Sequence, residues 1–393
     1  MRPTPGLRLA GGIVLISVVL CGCESTDDSA APAAPPFVFR SLELRQKKAD
    51  GSRDWDLNSP EARYEFSRRL VRARNPSGLL YNKNKPTFTI KAQTAVVFND
   101  GQEVLLEGDV QLQQLTGQKV LIRGDRLRWT PGRSLLVIDQ RPQADDQSNR
   151  LRASSAQLQQ DSQDLTLMGV VQLEQWGQAR KPGVNPNSVL RTQKAIWNLG
   201  DGALQAQGPV LGQRREKQDT LQQLQASRLS GNTKEGLIDL IEPVRVQFPK
   251  RKGLLNALTT RWNFKKETLS SESPFDGRLD RSKIEGRGFL VDLKKSTVKV
   301  SQDCRLQQPG EQLEADHCEW NWSNDAVLAK GNVVLRRKSN NQVTRSQVLR
   351  GKVGRKGTVI FSAPGDKVRS ELSLDEGRSR STKKTRQPAP VSF

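Results

Sequence analysis

The sequence predicts an all-β chain of antiparallel hairpins, and three observations carry the prediction. A phrase of the form apolar–x–apolar–x–Gly–x–Val–x–apolar recurs along it: Val104, Leu106, Gly108, Val110 and Leu112; Leu165, Leu167, Gly169, Val171 and Leu173; Val327, Ala329, Gly331, Val333 and Leu335; and, shorter, Leu204, Ala206, Gly208 and Val210. Period-two alternation marks a strand with one buried face, and recurrence marks a fold built by stacking similar units. Next, an apolar residue stands seven positions before most copies: Val97 before Val104, Leu158 before Leu165, Trp197 before Leu204 and Trp320 before Val327. The same offset links Trp129 to Leu136, Trp262 to Leu269 and Leu293 to Val300. Residues so spaced are opposed across a tight hairpin and share a face. Finally, the centres of these hairpins are polar or glycine-rich, as at Asp100-Gly101, Asp161-Ser162 and Gly200-Asp201, which is turn chemistry. At Ile238, Leu240, Glu242, Val244 and Val246 the phrase carries Glu for Gly, and Gly231 stands seven back, so a longer loop or bulge is expected there.

The elements follow in chain order. Arg2 and Arg8 precede an apolar run from Leu9 to Leu20. As a helix that run covers about 18 Å against a bilayer core of about 30 Å, so it reads as a signal peptide spanning residues 1–23. It ends Leu20-Cys21-Gly22-Cys23, which resembles the bacterial lipobox, and Cys23 is the expected lipidated residue. Residues 24–37 form a small, polar, proline-rich tether. The body between 38 and 370 exceeds one ordinary core, so two stacked units, 38–248 and 253–370, or one elongated array are expected. The tail, 371–393, is basic and lacks periodicity, as a disordered end does.

Cysteine usage fits an extracytoplasmic location. Cys304 and Cys318 are symmetric about residue 311, beside Pro309-Gly310, and either form a disulfide across a hairpin or stand as two isolated thiols. The net charge of +21 favours anionic partners, and for an exported lipoprotein these are lipid headgroups and glycolipids rather than nucleic acid. The basic residues are scattered, as in Arg123, Arg126 and Arg128, or Arg214 and Arg215, or Lys250, Arg251 and Lys252, which suits a solvated outer face.

Catalytic equipment is scarce. The only histidine, His317, neighbours Cys318, and adjacent strand residues point to opposite faces, so the pair is badly placed for nucleophilic chemistry. Phosphate loops, zinc spacings and nucleophile elbows do not occur, and pairs such as Asp145-Asp146 sit in polar stretches. The chain reads as a non-enzyme without cofactor or metal. Trp129, Trp197, Trp262 and Trp320 lie where strands meet turns. They either pack inward near the rim or, in a carbohydrate-binding solenoid, stack on sugars; the offset of seven places them inward.

The opening stretch then becomes informative. Ser41-Leu42-Glu43-Leu44-Arg45-Gln46 is followed by Asp50-Gly51, Trp55-Asp56-Leu57 and Ala62-Arg63-Tyr64. This resembles the start of the LptC family, the periplasmic component of lipopolysaccharide export. Later stretches such as Leu105-Leu106-Glu107-Gly108-Asp109-Val110 and Leu328-Ala329-Lys330-Gly331-Asn332-Val333 are similar to strands of the related LptA and OstA domains. The length is similar to that of the large LptC-like proteins of cyanobacteria. The resemblance implies an elongated antiparallel β-jellyroll, open along one side, whose apolar inner face shelters lipopolysaccharide acyl chains. It implies a protein held at the inner membrane, taking glycolipid from an ABC transporter and passing it to LptA-like partners through strand edges. The expected lining is Val104, Leu106, Val110, Leu112, Leu165, Leu167, Val171, Leu173, Val327, Val333 and Leu335. The other reading is a structural envelope lipoprotein that binds peptidoglycan or a protein and has no lipid groove.

Overall fold

The computed structural model describes residues 37–216, 220–249, 252–338, 341–353 and 357–371. Cys23, the signal peptide, residues 24–36 of the tether, Lys250, Arg251 and residues 372–393 lie outside them. The described residues form thirty-one strands with short 3₁₀ turns and no α-helix, so the all-β expectation holds. Every strand pairing is antiparallel, from Phe37–Lys47 against Arg53–Glu65 to Gln342–Lys352 against Arg369–Glu371.

The sheet is folded lengthwise. In Glu103–Gln114 the first half pairs with Thr94–Phe98 and the second half with Lys85–Lys91, two short consecutive strands. Asp164–Gln175 spans Ser155–Gln159 and Asn149–Arg152 in the same way, and Ala326–Arg337 spans His317–Asn321 and Glu311–Ala315. Each long strand therefore belongs to two facing limbs and turns the corner at a bulge. Register shifts lie between Glu107 and Val110, Met168 and Val171, and Lys330 and Val333. Those bulges are where the glycine of the recurring phrase sits. Gly169 has φ +90°, and a Cβ there would stand 2.5 Å from the Cβ of Ser154, in the link between Asn149–Arg152 and Ser155–Gln159. The glycine thus marks a corner between limbs, which strand alternation alone did not reveal.

The hairpin reading is matched in detail. Val97 pairs with Val104, Leu158 with Leu165, Trp197 with Leu204, Trp129 with Leu136, Trp262 with Leu269 and Trp320 with Val327. Two positions differ. Val291, not Leu293, is the residue seven before its partner, pairing with Val298, so Leu293 falls in the turn. Gly231 pairs directly with Ile238 in an ordinary hairpin, with no longer loop. A Cβ on Gly231 would meet the Leu237 carbonyl oxygen at 2.3 Å, so glycine replaces the apolar residue for want of room.

At 248–253 the chain makes a hairpin: Val244–Phe248 pairs with Gly253–Ala257, Phe248 opposite Gly253. Unpaired strand edges remain among the described residues at Phe37–Lys47 and at Val359–Ser362 with Arg369–Glu371. The inner faces of both limbs share one apolar cluster, and Trp55 of one limb meets Trp129 of the other edge to face at 5.2 Å.

Candidate functional site

The space between the limbs changes character along the chain. Val104, Leu106, Val110, Leu112, Leu165, Leu167 and Val171 are at most 1% exposed, packed with Trp55, Phe88 and Trp129 into a filled interior. Val327, Val333 and Leu335 are likewise buried, at 3%, 1% and 1%. Leu173 is half-buried and borders a narrow crevice with Leu190, Leu204, Ile238, Trp262 and Phe264, about 10 Å³ in free volume.

That crevice continues toward the C-terminal strands. A second cavity of about 30 Å³ shares Leu190 and Trp262 and adds Arg214, Leu224, Val246, Leu269 and Leu293. A third, about 80 Å³, shares Leu293 and adds Phe248, Leu255, Phe275, Leu279, Ile284, Trp320 and Trp322. These walls come from both limbs. The chain that folds into them alternates apolar inward residues with polar outward ones, as in Leu255, Ala257 and then Trp262. An apolar lining without aligned acids, bases or nucleophiles suits an apolar chain rather than a reaction.

The mouth of the trough, opposite the corners, is also uneven. Over the filled part, polar links tie the turns of one limb to the turns of the other. Gln160 Nε2 donates to the Tyr81 carbonyl at 2.8 Å, and Asn82 Nδ2 to that of Asp161 at 3.0 Å. Lys48 Nζ lies 3.1 Å from the Asp161 carboxylate, and buried Gln114 donates to the Leu199 carbonyl at 3.0 Å. Partial burial raises the Asp161 carboxyl, but hydrogen bonds from Ser134 and Lys48 outweigh it and hold it below the usual range. The last such link is Arg214 Nη2 to Glu267 Oε2 at 2.7 Å. Beyond it, none joins the limbs across the mouth among the described residues. There the lips carry exposed Lys252, Arg278, Arg281 and Lys283 on one side and Lys265, Lys266, Lys294 and Lys295 on the other.

The tryptophans point inward: Trp129, Trp197, Trp262 and Trp320 are exposed by 1%, 0%, 6% and 4%. The indole N–H groups of Trp262 and Trp320, both on crevice walls, lack a hydrogen-bond partner. His317 and Cys318 face opposite ways: His317 is exposed with Nδ1 against the Ser301 carbonyl, while Cys318 is buried and bonded to Cys304, with Cα atoms 5.9 Å apart. The bond joins Thr297–Gln308 to the start of His317–Asn321, beside the corner at Asp316.

Two ionic features escaped the sequence reading. Arg214 is not on the outer face; it shares the inward side with Val210 and Gly212, and its side chain is 14% exposed. Asp145 is not in a solvated loop. It ends Gln143–Asp145, is 5% exposed and accepts from Arg150 Nε at 2.9 Å and Arg180 Nη1 at 2.5 Å. Burial pushes its carboxyl up, but hydrogen bonds from Arg150, Gln143 and Arg180 prevail and hold it below the usual carboxylate range. Trp176 lies between the two guanidiniums, at 5.8 and 5.7 Å.

Among the described residues, no helix is long and apolar enough to cross a membrane. A search of curated proteins gave no match. The family model described as lipopolysaccharide-assembly, LptC-related, matches the chain twice in tandem, over residues 9–135 and 134–248.

Proposed function

We propose, from the premise that this chain belongs to the LptC-related family of lipopolysaccharide assembly, that it is a non-enzymatic carrier of lipopolysaccharide whose acyl chains lie in the crevice between Leu173 and Trp322. The observation that supports this most is the change from a filled, clasped interior around Val104 and Leu165 to a looser apolar one with small gaps and an unclasped mouth around Trp262, Phe275 and Trp320. Burial of acyl methylenes there is favourable at about 25 cal/mol per Å². Lysines and arginines on both lips favour the phosphates of a glycolipid. On this reading the filled segment through Val171 acts as a stem and the segment from Leu173 holds cargo.

Cys23 anchors the chain by its lipid at the inner membrane, glycolipid arrives from the export ABC transporter, and LptA-like partners accept it. The free strand edges at Phe37–Lys47 and Val359–Ser362 suit strand addition by such partners. Phe37, Val38 and Phe39 are exposed by 58%, 60% and 43%, so the first edge also offers apolar surface.

Photo-reactive residues at Leu255 and Leu279, compared with Gln111 and Gln172 on the outer face, test the reading in cells. Lipopolysaccharide adducts are expected from the first pair alone. Equal labelling from both pairs contradicts a sheltered crevice. Replacement of Cys23 by Ala, with fractionation of the envelope, tests the anchor.

A further inference from the structure

We infer that Arg214 is the anion-binding residue inside the crevice, receiving the phosphate of an acylated amphiphile through its unused Nη1 edge; this rests on the crevice being the lipid site. Four observations converge. Arg214 borders the cavity formed by Leu190, Trp262, Leu269 and Leu293, so a cation stands within an otherwise apolar wall. Nη2 is engaged by Glu267 at 2.7 Å, while Nη1 is buried and has no hydrogen-bond partner. A guanidinium presents its donors as a planar fork that matches two oxygens of a phosphate, and a desolvated donor left empty is an incentive for an acceptor to enter. The residue also occupies the last link across the mouth, the point from which the crevice opens toward Phe275 and Trp320. A chain lying in the wide part therefore brings its head to Arg214.

Glu267, one-third exposed, holds the guanidinium in place while the crevice is empty. It occupies one edge of the fork and leaves the other for the ligand. Among the described residues Arg337 also has an orphaned buried nitrogen, but it pairs with Glu311 among polar neighbours and lines none of the three apolar cavities.

The test uses the full chain and two probes of equal length, dodecyl phosphate and dodecanol, titrated by displacement of a fluorescent fatty-chain reporter. The native protein is expected to prefer the phosphate by about tenfold or more. Arg214→Gln is expected to abolish that preference while keeping dodecanol binding, and Arg214→Lys to restore part of it. Glu267→Gln, which removes the carboxylate but keeps the guanidinium, is expected to bind dodecyl phosphate as well as or better than the native chain. An unchanged preference in Arg214→Gln, or equal weakening of both probes, overturns the assignment while leaving the crevice as the chain site. Binding of neither probe by the native protein overturns the crevice reading itself.

Discussion

Ser154 stands over Gly169: a Cβ on that glycine would lie 2.4 Å from the Ser154 hydroxyl, and the same hydroxyl accepts the Val170 N–H at 3.2 Å. The contact closes a corner between the limbs and explains why the phrase repeats a glycine. Gly169→Ala meets both a positive φ and a neighbour that cannot withdraw, and is expected to cost about 1–3 kcal/mol in chemical denaturation. Gly132→Ala, with nothing near its Cβ position, is expected to stay within about 0.5 kcal/mol.

The Asp145 cluster predicts acid sensitivity. Its carboxyl is held below the usual range in the fold, so it contributes stability that is present above the ordinary aspartate value, about 3.9, and is lost as pH falls through the folded value. Asp145→Asn removes that pH-dependent part and leaves Arg150 and Arg180 without their shared acceptor. The expected cost at neutral pH is about 3 kcal/mol, read from urea melts at pH 7 and at about pH 2, below the folded value. If the two melts differ equally for native and variant chains, the cluster is not the acid-labile element.

Filled core and crevice predict opposite phenotypes. Leu106→Ala, at a 0% exposed position, is expected to lose about 2–5 kcal/mol of stability with lipid uptake unchanged in the surviving fold. Phe275→Ala and Trp320→Ala widen an existing cavity and are expected to reduce acyl-probe affinity. A binding loss confined to Leu106→Ala contradicts the division.

The bond between Cys304 and Cys318 closes a stretch of 14 residues, which predicts a contribution of about 3 kcal/mol by restriction of the unfolded chain. The paired change to Ala at both positions, compared with the oxidised native chain, measures it. Reductant is expected to lower the native melting temperature and leave the paired variant unmoved.

Much of the fold was legible because opposed apolar residues at a fixed offset encode a hairpin locally, as with Trp262 and Leu269. The corners were less legible, because Gly108, Gly169 and Gly331 keep the period-two pattern while the strand changes limb. Leu293 was misplaced by two positions because an inward leucine in a turn mimics a strand residue. The crevice was not legible at all: Leu165 and Leu255 carry the same pattern, and only the volume left between the limbs separates filling from lining. Asp145 and Arg180 lie 35 residues apart, beyond any local signal, whereas the parity of Arg214 with Val210 did offer a clue to its inward side.

Since each strand bonds only to near neighbours in sequence, the molecule is a one-dimensional lattice with nearest-neighbour coupling. Gene segments encoding one hairpin pair can be gained or lost without rerouting the chain. Strands stand about 4.8 Å apart, so two added to each limb change the reach by about 10 Å. Reach and cargo length are then adjustable by copy number, a route to fitting envelopes of different thickness that point substitutions do not provide.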